Sequence, residues 1–216
     1  LKLKKGVSLS SRHEFYVTRV LYEKIIGEQI NRLSELQDPR VVYVTDLVSC
    51  THKFHLKKAY PWLSLAFEPA AILGIIAHLG IGQLLRERGV EVEVEVAREV
   101  IIDGTSYLLK GRLDAVDESS GIVIEVKTAR SAVNAPLQNH VKQLNIYLNM
   151  LNYERGVLVY ITPSRIVEFV VTREPVSLES EVRDLVEDRY HPRYEWECKY
   201  CQFSKLCPYS TSALSK

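Results

Sequence analysis

Between Lys110 and Lys127 the chain reads KGRLDAVDESSGIVIEVK, and Asp114, Glu125 and Lys127 are the residues there best suited to chemistry. Two alternating runs, Tyr107–Val116 and Ile122–Thr128, flank the turn-forming cluster DESSG. The pattern predicts an antiparallel hairpin, with Gly121 free to take the positive φ that a tight connection needs. A turn centred between Ser119 and Ser120 pairs positions whose numbers sum to 239, which sets Asp114 opposite Glu125. Directly paired residues have Cβ atoms about 4.5–5.5 Å apart, and like charges placed there repel. Two carboxylates so opposed call for a cation between them or a raised pKa.

Lys127 lies two residues beyond Glu125, so strand periodicity puts it on the same face. Two acids and an ammonium suit a hard divalent ion bound by oxygen, with the ammonium placed to hold or deprotonate a water. The competing reading is a solvated hairpin carrying a surface ion pair. Ile122, Val123, Ile124 and Val126, with Leu113, Ala115 and Val116 around Asp114, argue instead for strands buried on both sides. Carboxylates in such strands need partners.

A second group of reactive residues lies in the tail. Cys198, Cys201 and Cys207 fall within ten residues, Pro208 follows, and Cys50 is a distant fourth. Zinc ribbons more often use two close CxxC pairs, whereas unequal spacing ending in Cys-Pro is a habit of iron–sulfur ligation. An iron–sulfur centre is the favoured reading, zinc the second, and four free thiols the last. Tyr194, Trp196, Tyr200, Phe203 and Tyr209 are placed to screen such a centre, whose role would be to staple the tail to the region after the first helix.

The chain has 216 residues, net charge +1, 46% hydrophobic and 25% charged residues. These are the proportions of a soluble globular protein with ample core material. A near-neutral charge excludes a global basic field, so any nucleic-acid surface must be a local patch. No apolar run is long enough for a membrane span, and the first residues, LKLKKGVSLSSRHEF, lack a secretion-signal hydrophobic stretch. The expectation is a cytoplasmic protein.

The elements that must position these residues follow from periodicity. Arg12–Leu36 predicts a long helix, with Val17, Val20, Leu21, Ile25, Ile30 and Leu33 as a packing stripe and Asp38-Pro39 as its stop. A short extended piece, Val41–Val44, precedes a brief capped helix running to Cys50. The run THKFHLKKAYPW interleaves Lys53, Lys57 and Lys58 with aromatics, which suits single-stranded nucleic acid and equally a solvated helix end. Pro69–Arg88 predicts an apolar helix stopped by Gly89, where Gly74, Gly80 and Gly82 imply close approach of a backbone or ligand. His78 on it, taken alone, reads as a hydrogen-bonded core residue. The alternation of Val90–Val96 predicts a strand with one polar face, leading through Asp103-Gly104 to the hairpin. A helix over Pro136–Leu151 sets Gln143 and Tyr147 on one face. A second hairpin, Gly156–Ile161 with Ile166–Thr172, and an acidic amphipathic helix, Ser177–Arg189, complete the order.

These residues together resemble the motifs of RecB-like nucleases of the PD-(D/E)XK superfamily: Gly74-x3-His78, Gly111-x2-Asp114, Glu125-x-Lys127 and Gln143-x3-Tyr147. With one cysteine before that core and three after it, the chain is similar to the CRISPR-associated exonuclease family of this type (Cas, subtype four), a layout shared by the RecB-like domains of AddB helicase–nucleases. The resemblance spans Cys50 to Cys207; Leu113 stands where the superfamily's name has proline.

The resemblance implies an α/β RecB-like PD-(D/E)XK core, with a mixed central sheet flanked by helices, as one domain over 1–216. Residues 1–68 would be the helical part with the first cysteine, 69–175 the nuclease core and 176–216 the cysteine-rich segment. It implies that His78, Asp114, Glu125 and the Val126 carbonyl hold Mg²⁺ or Mn²⁺, that Lys127 handles the attacking water, and that Gln143 and Tyr147 position the DNA or the lysine. It implies an iron–sulfur cluster, 4Fe-4S rather than 2Fe-2S, on Cys50, Cys198, Cys201 and Cys207. Lys110, Arg112, Lys53, Lys57 and Lys58 become phosphate contacts. The implied activity is exonucleolytic hydrolysis at single-stranded DNA ends in prespacer processing, with the CRISPR integrase proteins as partners and homo-oligomerisation compatible. The alternatives from other classes are a non-catalytic nucleic-acid-binding subunit, which intact Asp114, Glu125 and Lys127 argue against, and a redox carrier.

Overall fold

The computed structural model describes residues 16–65, 69–131 and 133–211. The first turn of the expected helix, residues 12–15, lies outside the described residues, as do 66–68 and 212–216. The helical elements are α1 (Tyr16–Asn31), α2 (Leu33–Gln37), α3 (Val44–Leu47), α4 (Thr51–Ala59), α5 (Pro69–Arg86), α6 (Gln138–Leu151), α7 (Leu178–Val186) and α8 (Glu197–Tyr200). The strands are β1 (Val41–Tyr43), β2 (Glu91–Ile102), β3 (Thr105–Asp117), β4 (Ile122–Thr128), β5 (Arg155–Ile161) and β6 (Ile166–Thr172).

The six strands form one sheet in which β3 is the axis. β2 runs antiparallel along one edge of β3 from Ile102↔Thr105 to Glu91↔Val116, turning at Asp103 and Gly104, both at positive φ. The other edge of β3 is shared. β1 lies parallel to it at Leu108–Lys110, and β4 lies antiparallel to it at Ala115–Asp117. β4 then pairs in parallel with β5, and β5 in antiparallel with β6. The sheet is therefore mixed, and helices cover it, as the family resemblance implied.

Alternation along β4 assigns its faces. Ile122, Ile124 and Val126 line a cavity with Ile81, Leu84 and Leu85 of α5. Val123 joins the main core with Leu144 of α6, and Glu125 reaches Gln143. α5 and α6 thus pack on opposite faces. The core runs beneath α6 through Leu109, Leu113, Val123, Leu144, Leu148 and Leu158, each fully buried. Gly156 is required there, since a Cβ would meet Leu144 at 2.8 Å. The expected acidic helix forms as α7, ending at Val186, and Ser177 caps it by accepting from Ser180 N.

Three expectations need correcting. The single helix to Leu36 breaks at Arg32, and of its predicted packing stripe only Ile25 is buried; Val17, Val20 and Ile30 face solvent. Periodicity showed that the helix has an apolar side but not that this chain supplies its cover. α5 likewise exposes Leu73, Ile76 and Leu84, and of its glycines Gly74 and Gly82 approach only side chains, at Thr128 and Val92, while Gly80 meets open space.

Lys57 and Lys58 are committed to the interior rather than to a phosphate. Lys57 Nζ lies 2.6 Å from the buried carboxylate of Asp46, and Lys58 Nζ donates to the carbonyls of Glu35, Asp38 and Val41. Those carbonyls come from the last turns of α2, the α2–β1 turn and the start of β1, and one ammonium ties the three together. Lys58→Ala should therefore destabilise the fold by about 2–3 kcal/mol, read as a lowered urea midpoint at unchanged m-value.

Candidate active site and cysteine centre

The site is built where β1 and β4 leave β3 between them. Residues 111–114 have no strand on that edge, and Asp114 also drops out of the β2 ladder, opposite Glu93 at φ +54°. Core packing changes phase at the same point: Leu109 and Leu113 are core residues, and so is Val116. Side chains fill the gap. Asp114 Oδ2 accepts from Val126 N at 2.7 Å, and the Arg112 carbonyl accepts from the Tyr147 hydroxyl at 3.2 Å. Gly111 is obligatory, because a Cβ would lie 2.4 Å from the Tyr147 ring.

The hairpin register is the one expected, with Ala115↔Ile124, Val116↔Val123 and Asp117↔Ile122 all summing to 239. The ladder ends one step before Asp114 and Glu125, however. Asp114 is not a simple cross-strand neighbour of Glu125, since its carboxylate has swung onto the next amide of β4.

His78 of α5 approaches from one side, its Nδ1 2.9 Å from Asp114 Oδ1. That hydrogen bond holds the imidazole pKa above its usual value, against the effect of burial. From the other side Glu125 Oε1 accepts from Lys127 Nζ at 2.7 Å and Gln143 Nε2 at 2.8 Å, and Lys127 Nζ also donates to Gln143 Oε1 at 3.0 Å. Gln143 therefore grips both the acid and the ammonium, and Tyr147, one turn on, braces the backbone of β3.

Glu125 is 3% exposed, and its second oxygen, Oε2, is buried without a hydrogen-bond partner. Burial pushes its carboxyl up to about 7, with Lys127 opposing and Asp114 adding to the rise. An orphaned carboxylate oxygen beside a second carboxylate and an imidazole is the donor set of a divalent-cation site. Among the described residues no three His, Cys, Asp or Glu side chains converge closely enough to grip an ion unaided. The oxygens are instead drawn to Lys127, His78 and the Val126 amide, which an entering cation would replace in part. A cavity of about 300 Å³ gives access, lined by Gly74, His78, Arg112, Asp114 and Val126.

The four cysteines are all free and line a single cavity of about 120 Å³ between α4 and the tail. Burial raises the thiol of Cys50 to about 11 and also raises that of Cys207. Four soft donors around one void are of the type a thiolate-bound metal centre uses. No three of them stand close enough to grip an ion as they are, and binding would have to draw them together and displace those protons. Of the expected screening aromatics, only Phe203 is fully buried; Trp196, Tyr200 and Tyr209 are largely exposed.

Glu197 was not singled out from sequence, yet it ties this centre together. One oxygen accepts from Cys50 N at 2.7 Å, and the other from Arg193 N at 2.8 Å and Tyr194 N at 2.9 Å. Cys50 and Glu197 are 147 residues apart, so no local pattern marks them as partners. Asp188 reinforces the same junction through Thr51 and His52.

The expected phosphate contacts divide. Lys53 lines the cysteine cavity, with its pKa lowered by burial, so it joins Lys57 and Lys58 as an interior group. Arg112 borders Asp114 in the accessible cavity. Lys110 pairs with Glu35 at 2.7 Å in a neighbouring one.

Comparison with known proteins agrees with this fold. The family model of the PD-(D/E)XK nuclease superfamily matches residues 61–208. CRISPR-associated exonuclease Cas4 of Saccharolobus solfataricus (strain ATCC 35092 / DSM 1617 / JCM 11322 / P2) is 42% identical over 202 residues, 89% of this chain and 98% of that protein. The crystal structure of SSO0001 superposes with a TM-score of 0.83 at 39% identity, covering 91% of this chain and 98% of that one. The chain belongs to the PD-(D/E)XK nuclease superfamily and, within it, to the Cas4 exonuclease family.

Ionising Glu125 has a sign that can be measured. Its folded pKa lies above the unfolded value, so the stability it contributes is complete below pH 4–5 and is lost as pH rises through about 7. Glu125→Gln mimics the protonated acid. In metal-free protein, the melting temperature of wild type should fall relative to Glu125→Gln between pH 5.5 and 8, and Mn²⁺ should narrow the gap at the upper end.

Proposed function

We propose that the chain is a divalent-metal-dependent DNA exonuclease that hydrolyses phosphodiester bonds at single-stranded ends and trims prespacers for CRISPR integrase proteins. The observation that carries this reading is the buried, partnerless Oε2 of Glu125, held beside Lys127 by Gln143. His78, Asp114, Glu125 and the Val126 carbonyl would hold Mg²⁺ or Mn²⁺. When bound, such an ion supplies Lewis-acid polarisation of the scissile phosphate and a more acidic water.

The protein's own groups do the positioning. Lys127 Nζ, kept in place by Glu125 Oε1 and Gln143 Oε1, has a further proton to donate to the attacking water or to the developing phosphorane charge. Asp114 is fixed by the Val126 amide and His78, so its orientation is set before substrate arrives. Tyr147 fixes the β3 backbone beside Arg112, whose side chain is half-exposed at the cavity wall and reaches only as far as 3.9 Å from Glu93. Arg112 is thereby left able to take a phosphate oxygen.

Asp114→Ala and Lys127→Ala should each lower Mn²⁺- or Mg²⁺-dependent release of nucleotides from single-stranded DNA by at least about 10²-fold. Variants that cut as fast as wild type would remove the catalytic assignment.

We further assign Cys50, Cys198, Cys201 and Cys207 to an iron–sulfur cluster, 4Fe-4S in preference to 2Fe-2S, whose role is to pin the tail to α4. Protein purified anaerobically should be brown, with iron and sulfide in cluster proportion. A colourless, zinc-loaded preparation would exclude the cluster and leave the nuclease reading intact.

A further inference from the structure

Beside the catalytic groups lies a second cavity, of about 350 Å³, between the α1–α2 junction, β1 and the open edge of β3. It shares Arg112, Gln143 and Tyr147 with the site described above. Three cations reach it, Arg32, Lys110 and Arg112, against the carboxylates of Glu35 and Glu95. The volume is that of a small-ligand site rather than a packing defect, and its wall is mainly polar.

Inside it Glu35 is surrounded as an anionic ligand would be. Its carboxylate accepts from Lys110 Nζ at 2.7 Å and from the Tyr43 hydroxyl, and these two, with Arg32 nearby, hold its carboxyl below the usual range. Glu35 is more than a third exposed and Lys110 more than a quarter, so the ion pair is one that water and salt weaken. The backbone beneath Glu35 is fastened independently, through Lys58 to the carbonyls of residues 35, 38 and 41. The side chain can therefore leave Lys110 without α2 moving.

We propose that this cavity is a phosphate subsite for the DNA strand that passes the catalytic groups, and that Glu35 holds Lys110 only until a strand phosphate takes its place. This deepens the nuclease reading and rests on it. A strand phosphodiester matches a carboxylate in its single negative charge and its pair of free acceptor oxygens, so it can take over from Glu35 the donors Lys110, Tyr43 and Arg32. Arg112, on the wall common to both cavities, places this phosphate next to the one being attacked. Glu35 in the meantime keeps the pocket from collecting other anions.

The test is binding of a short oligothymidylate to metal-free protein, followed by anisotropy over a range of salt. Lys110→Gln should weaken binding on the order of fivefold and lower the salt slope by about 0.7. Glu35→Gln, which removes the competitor, should tighten binding severalfold, and Lys110→Arg should hold wild-type affinity. Opposite shifts from the two partners of one ion pair cannot come from lost stability, which would weaken binding in both. Loss of the preference for a 5′-phosphate over a 5′-hydroxyl oligomer in Lys110→Gln identifies a terminal phosphate, and equal weakening of both identifies an internal one. Unchanged affinity in Lys110→Gln, or weakened affinity in Glu35→Gln, overturns the subsite. A wild type that binds no DNA would instead overturn the nuclease reading beneath it.

Discussion

The carboxylate of Asp114 takes the Val126 amide that a ladder carbonyl would otherwise have accepted. Around that one substitution the rest of the site is arranged. β1 and β4 both lie along the same edge of β3 without meeting, which leaves residues 111–114 with backbone groups to satisfy. Tyr147 donates to the Arg112 carbonyl on the β3 side, and Asp114 accepts from the Val126 amide on the β4 side. A sheet interior is normally a poor place for catalytic groups, because its hydrogen bonds are used up and its faces covered. An interrupted edge provides polar atoms, room and a rigid frame together.

The same logic explains why α5 and α6 must sit on opposite faces. Asp114 stands at the break and can be approached from either side, so His78 meets it from α5 while Gln143 holds Glu125 and Lys127 from α6. Packing of Leu144 and Leu148 into the core fixes the height and rotation of α6, and hence the position of Gln143. Gly156 and Gly111 allow that helix to approach so closely. The geometry of the candidate site is thus a consequence of helix–sheet packing, with buried polar groups retained at a cost to stability.

How much of this could be read from residues alone depends on the range of the interaction. The hairpin register followed from one turn and simple counting, and the pairing of Val116 with Val123 agrees. The break at Asp114 did not follow, because it arises from β1 arriving on the same edge from more than sixty residues away. The stripe on α1 was visible as a pattern, but a pattern cannot say whether its cover lies in the same chain. Lys57 and Lys58 looked like a basic patch beside aromatics; Asp46 and three backbone carbonyls claim them, and a backbone carbonyl leaves no trace in the sequence. Glu197 was hidden for the same reason, since its acceptors' partners are amides.

The junction made by Glu197 and Asp188 also bears on what a cluster could do here. Cys198 is the second residue of α8, and Cys50 precedes α4; their elements already meet through hydrogen bonds that no metal is needed to form. A thiolate-bound centre would then lock an interface that the polypeptide has largely pre-assembled, instead of creating it. α4 in turn holds, through Lys57 and Lys58, the turn and the short helices around β1. β1 is one of the two strands that bound the gap in β3. The cysteine segment and the open edge of β3 are therefore joined by a continuous line of packed helices and charged contacts, although they lie on different elements.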